Sequence, residues 1–241
     1  MTGSLAERVG RFLSALGTRL IVPNGEERRR RFADPLRLPE GPLSALRCAV
    51  FDLETTGLEP SRGDRIIAIG AVRVISGRVD ERDRFDSFCQ PGRPIPSSST
   101  AIHGITDAMV AHARPWPHVV ADFHAWAGDD LLVAHNAAFD LCCLHAAEAQ
   151  SGVRFDNPAL CTMVLSRWLD PDHQDHSLDA LAARHGIVIA SRHDALGDAV
   201  ATAYLFVDML RRAEERGMAS LDELARASRM RQAIAAAAMA F

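Results

Sequence analysis

The sequence predicts an α/β domain: a mixed sheet with flanking helices. Three observations carry that expectation. Strand-like segments come first, without helical periodicity. Short apolar segments then alternate with helical ones. The composition, 48% hydrophobic and 24% charged over 241 residues, is that of an ordinary globular chain. It excludes pervasive disorder, a collagen-like fibre and a disulfide-dense miniprotein. No apolar stretch reaches the ~18 residues of a membrane span.

The elements follow in order. Leu5, Val9, Phe12, Leu13, Leu16 and Leu20 recur at helical spacing, and Ser4 with Glu7 reads as a capping box. This predicts an amphipathic helix over about residues 5–20, packed on its own domain or on a protein partner. Glu7, Arg8 and Arg11 interrupt any secretory apolar core there. Glu26-Glu27-Arg28-Arg29-Arg30-Arg31, then Pro35, Pro39 and Pro42, read as a charged linker, with a nucleic-acid arm as the alternative. Residues 1–45 are thus a helical extension and linker, 46–217 a compact domain, and 218–241 a helical tail capped by Ser220 and Glu223.

Within the domain, Cys48–Glu54, Arg65–Ile75 and Arg78–Gln90 read as a three-stranded meander turning at Ser76-Gly77. Residues 91–99 are proline- and serine-rich and read as a loop. Val119, Val120, Phe123 and Trp126 line a helix. Leu131–His135 is a short apolar strand followed by a helix to about Ala149. Residues 162–169, 177–185 and 194–216 read as further helices.

Charge and cysteines narrow the setting. The net charge is −4, but residues 1–45 carry eight Arg against five acids, leaving −7 for the rest. All 27 basic residues are arginine. Binding to a polyanion therefore needs a local patch, or the acidic excess serves to hold metal ions. Cys48, Cys89, Cys142, Cys143 and Cys161 are odd in number without paired spacing, which suits a reducing cytoplasm.

Four acids stand out. Asp52 and Glu54 lie two apart on a strand, so both project from one face. Like charges held close need a cation or a proton between them; the alternative is a strand end facing solvent. Asp140 falls in the first turn of a helix, where the dipole favours a carboxylate. His135 and Asn136 precede it at a strand's C-terminal end, where α/β sheets bind ligands. Asp198 lies five residues after His193, with Asp194 between them as a helix cap.

In order and spacing, Phe51-Asp-Leu-Glu-Thr-Thr-Gly57, His135-Asn-Ala-Ala-Phe-Asp140 and His193-x-x-x-x-Asp198 resemble the three motifs of the DEDDh exonuclease superfamily. Ile102-His-Gly-Ile-Thr106 and Ser177-Leu-Asp-Ala-Leu-Ala-Ala-Arg184 resemble further segments of its DnaQ-like branch, which includes the epsilon subunit of bacterial DNA polymerase III. Where that branch often has Asp-Thr, this chain has Cys161-Thr162. The resemblance implies a ribonuclease H-like fold. It also implies metal-dependent 3′→5′ exonuclease activity on single-stranded DNA ends, proofreading-like or in repair, releasing 5′-mononucleotides.

Asp52, Glu54, Asp140 and Asp198 would hold two divalent ions, Mg²⁺ or Mn²⁺, with His193 as general base. Thr55, Thr56, Leu58, His103, Ile105, His135, Asn136 and Phe139 would meet the strand; packing in the core is the alternative for Ile105 and Phe139. An exoribonuclease of the same superfamily is a second reading, and a non-catalytic binding or scaffold module a third.

Overall fold

The computed structural model describes residues 40–238. The expected helix over residues 5–20, most of its linker and the last three residues lie outside that range. Five strands form one sheet in the order β3-β2-β1-β4-β5. They are β1 (Arg47–Thr55), β2 (Ile66–Ile75), β3 (Arg78–Phe88), β4 (Leu131–Ala134) and β5 (Ala159–Cys161). The β1–β2–β3 meander is antiparallel, and β4 and β5 add parallel to β1. The mixed sheet is therefore as expected, with β5 an element the periodicity did not reveal; three residues are too few to show one.

β2 is buried along nearly its whole length, and β1 along most of it, because helices cover both faces. Phe51 meets Phe123 of α3 (Trp116–Ala127) at 5.4 Å between ring centroids on one face. The next side chain, Asp52, points to the other face, where α7 (Ala195–Glu215) lies across β1 and β2. β3 alternates half-buried with exposed charged residues, which blunts an open edge against pairing.

Two segments differ from expectation. The serine run of the supposed loop starts a helix: α1 (Ser97–His103) begins just after Pro96, followed by α2 (Asp107–Val110). Serine and proline are loop formers in general but also favoured around a helix start. The tail is two helices, α8 (Leu221–Ala227) and α9 (Met230–Ala238), broken where Arg229 takes φ 51°. Ser220 Oγ caps the helix by accepting from the Glu223 N–H at 3.3 Å, while Glu223 reaches back one residue further than a capping box does, accepting from the Ala219 N–H at 2.8 Å. Leu221, Leu224, Met230 and Ile234 join the main core rather than hanging from it.

Candidate active site

Three elements converge at the C-terminal end of β1. β1 supplies Asp52 and Glu54, and its ladder shifts register just after Glu54. α4 (Ala137–Ser151) follows β4 through Asn136, whose φ of 68° turns the chain, and puts Asp140 in its first turn. α7 supplies Asp198, also in its first turn, with Asp194 capping the helix by accepting from the Gly197 N–H at 2.9 Å.

Two glycines let α7 come down this far. Gly70 pairs with Asp52, and a Cβ there would lie 2.1 Å from the Leu196 nitrogen. A Cβ on Gly197 would lie 2.4 Å from the Ser191 carbonyl oxygen. Any larger residue at either position pushes the helix start, and Asp198 with it, away from β1.

The loop after β1 is stapled around Asp64, a residue the sequence reading passed over. Thr56 Oγ1 donates to Asp64 at 2.9 Å and accepts from the Arg65 N–H at 3.0 Å. The Glu59 N–H and Arg93 also reach Asp64, at 2.9 and 3.1 Å. Thr55 Oγ1 donates to the Gly57 carbonyl at 2.7 Å. Both threonine side chains are buried and committed to the loop. Leu58, by contrast, is 50% exposed at its crown.

The electrostatics are those of crowded acids away from water. Burial pushes the Glu54 carboxyl up to about 8, with Asp198 adding and Arg192 opposing. Burial also pushes Asp198 up to about 6, against Arg192 and the His193 N–H. Asp52 is raised well above the usual carboxylate range by burial first and then by Asp140, Glu54 and Asp198. Burial raises Asp140 too, partly offset by N–H groups of its own helix and of Leu53. All four carboxylates thus favour a proton or a cation.

His193 completes the group. Ligand atoms of Glu54, His193 and Asp198 all lie within 4.8 Å of one another. The His193 backbone, at φ 61°, is in the left-handed region that non-glycine residues rarely adopt. Its N–H donates to Asp198 at 3.2 Å. Burial and Arg192 pull its pKa below the ordinary histidine value. Asp198 Oδ1 is buried and has no hydrogen-bond partner among the described residues. An orphaned carboxylate oxygen amid clustered oxygen donors fits a hard divalent cation.

Sequence reasoning missed Arg192. It pairs with Asp198 and, at 2.9 Å, with Asp179. Adjacency to His193 was the only signal.

His103 Nδ1 accepts from the Ile105 N–H at 3.0 Å; burial chiefly lowers its pKa, opposed by the Thr55 carbonyl. Ile105 is buried in a small cluster with Ile67, Ala68, Ile95, Val110 and Ala195. His135 Nδ1 lies 2.9 Å from Thr162 Oγ1 at the start of α5 (Thr162–Leu169), and burial takes its pKa down to about 4. Phe139 is half-buried against the main core. His176 bonds Ser166 at 2.8 Å, which accounts for its burial.

The family model described as Exonuclease matches residues 49–206. A DNA polymerase III subunit epsilon-like protein of Rhodobacter capsulatus is 50% identical over 183 residues, covering 75% of this chain and 26% of that protein. The PolC-type DNA polymerase III of Bacillus subtilis is 40% identical over 177 residues, 73% of this chain and 12% of that one. The chain thus spans a minor part of these relatives' length. Exonuclease X, solved with 5′ overhanging duplex DNA, is 31% identical with a TM-score of 0.58, over 76% of this chain and 99% of that one. Escherichia coli exonuclease I, solved with a dT13 oligonucleotide, shares the fold: 18% identity, TM-score 0.61, 71% of this chain and 42% of that one.

Proposed function

The chain belongs to the exonuclease family, and on that premise we propose that it is a metal-dependent 3′→5′ exonuclease. It removes 5′-mononucleotides from single-stranded DNA ends. The observation that carries the reading is the convergence of four carboxylates and His193 at one end of the sheet, with Glu54 and Asp198 raised to about 8 and about 6 chiefly by burial. A packed core does not gather such groups without a use for them.

Asp52, Glu54, Asp140 and Asp198 would hold the cations, Mg²⁺ or Mn²⁺, because oxygen-only donors suit hard ions. Held there, divalent ions would polarise the scissile phosphate, ease deprotonation of the attacking water and stabilise the leaving oxygen. The protein's own share is positioning and proton transfer. His193, its pKa lowered by burial and by Arg192, is neutral at pH 7–8 and accepts the water's proton. Asp140, set in the first turn of α4, is held by its own N–H and that of Leu53, the strand residue next to Asp52. Leu58 and His103 face the end of the strand, and His135, Asn136 and Phe139 its path; apolar and ring contacts of this kind read no particular sequence. Buried cysteines, odd in number, suit the cytoplasm. Proofreading and repair would use the same site.

The test is cleavage of sequence-matched single-stranded DNA and RNA, labelled at either end, with Mg²⁺, Mn²⁺ or EDTA. Stepwise EDTA-sensitive loss from the 3′ end of DNA is expected. Faster RNA cleavage would move the substrate to RNA. No cleavage by folded, metal-loaded protein would overturn the enzyme reading in favour of a binding module.

A further inference from the structure

One cation lies among the acids, and it belongs to the chain. Arg192 spans three partners with one guanidinium. Its Nη1 pairs with Asp198 Oδ2, its Nε donates to Asp179 Oδ1 at 2.9 Å, and Nη1 lies 3.3 Å from His193 Nδ1. The Asp198 side chain is 4% exposed and the Arg192 side chain 31%, so the guanidinium reaches inward from the rim. A guanidinium only donates, so the contact at His193 makes Nδ1 the acceptor and leaves the ring proton on Nε2. The ring lone pair that would take a proton from water is thereby covered by the same group that occupies a metal-ligand carboxylate.

We infer that Arg192 is an internal latch that holds Asp198 and His193 together until a divalent cation takes Asp198. Asp179, on α6 (Leu178–His185), anchors the guanidinium from the solvent side and so holds it over Asp198. Cation binding and uncovering of His193 become one event, because both depend on one side chain moving. The left-handed backbone at His193 places consecutive side chains, Arg192 and His193, around one carboxylate. The positive charge of Arg192 also opposes the burial that raises Asp52, Glu54 and Asp198.

This inference rests on the metal-dependent reading, and its test keeps the two apart. Mn²⁺ affinity is measured by calorimetry, without nucleic acid, for the parent protein, R192Q, R192K and D179N. Melting temperatures in EDTA and in Mn²⁺ are recorded alongside. A latch competes with the ion, so R192Q binds Mn²⁺ about 5–50-fold more tightly, while its melting temperature falls in EDTA and recovers in Mn²⁺.

R192K keeps the charge but not the fork that bridges three partners, so it also binds more tightly than the parent. D179N removes a negative charge, which by simple attraction weakens cation binding; releasing the latch's anchor tightens it instead. If R192K matches the parent, or D179N binds more weakly, Arg192 acts only through its field and the latch is overturned. A parent protein that binds no Mn²⁺ at millimolar concentration overturns the metal site itself, and the latch with it.

Discussion

Two buried clusters of charge sit in this domain, and they are built on opposite terms. At one end, Arg73 of β2, 5% exposed, is surrounded by partners. It pairs with Asp130 and, at 3.2 Å, with Asp83. It donates to the Trp126 and Ala127 carbonyls, and its guanidinium lies 4.0 Å from the Trp126 ring centroid. Arg47 reaches Asp130 at 3.0 Å, and the Trp126 indole donates to Asp83 at 3.0 Å. Opposite signs and satisfied donors tie the C-terminal end of α3 to the sheet. At the other end, Asp52, Glu54, Asp140 and Asp198 crowd together, and Arg192 opposes the rise of Asp52, Glu54 and Asp198. The first cluster is spent on the fold; the second is a cost the fold carries so that a cation has somewhere to bind.

The largest expected effect separates the two most cleanly. Asp52→Ala removes cleavage by a factor on the order of 10³ or more, as loss of a metal ligand does. The fold stays intact or gains stability, because one of four repelling acids is gone. Initial rates and circular dichroism melts on the same protein check it; unfolding of the variant would mean Asp52 is structural. Arg73→Met should do the reverse. It leaves Asp83 and Asp130 to Trp126 and the half-exposed Arg47 and costs about 1–3 kcal/mol, read as a lower urea midpoint, with the rate per folded molecule unchanged. A loss of rate without a loss of stability would join the two clusters and break the contrast.

The sequence exposed these clusters unequally. The pit was legible because its residues recur at fixed spacing: two acids on one strand face, a helix-turn acid after a short strand, and a histidine five before an acid. Arg73 was invisible, since its partner Asp83 lies in the stretch of β3 where the pairing register shifts and Asp130 just before β4, and nothing in a period-two strand marks an arginine as buried. Arg192 and Asp64 were missed for a similar reason: each acts through neighbours that only folding supplies. The meander and α7 were read closely because β-branched runs and helical periodicity are long there. β5 and α2, at three and four residues, are shorter than the windows in which periodicity can be seen.

The pH dependence of the metal-free protein sharpens the contrast at lower amplitude. Folded Glu54 and Asp198 titrate at about 8 and about 6, whereas carboxyls of an unfolded chain titrate near ~4. Between those values the folded protein binds more protons than the unfolded one, so stability falls as pH rises from ~4.5 to 8. The melting temperature in EDTA should drop by about 5 °C over that window. Saturating Mg²⁺ should flatten it, since the ion replaces the protons. Asp52→Ala should shallow the slope and Arg73→Met should not. A flat profile in EDTA would mean that the acids are solvated rather than confined.

The smallest expected effect lies where the two kinds of design meet. Asp194 stands beside the pit and adds to the rise of Glu54, yet it is satisfied: it caps α7 by accepting from the Gly197 N–H. Asp194→Ala loses that cap, worth about 1 kcal/mol, and removes one repelling charge from the pit. Asp194→Asn keeps the cap and removes only the charge. If capping dominates, Ala lowers the melting temperature and Asn leaves it near the parent. If repulsion dominates, both raise it in EDTA at pH 8, where Glu54 is losing its proton, and neither does at pH 5. We expect capping to dominate, because Asp194 is exposed and solvent screens its charge from Glu54, whereas an unpaired N–H at the helix start is not relieved by salt. Comparing the two variants in low and high salt decides it: a cap effect persists as ionic strength rises, and a repulsion effect fades.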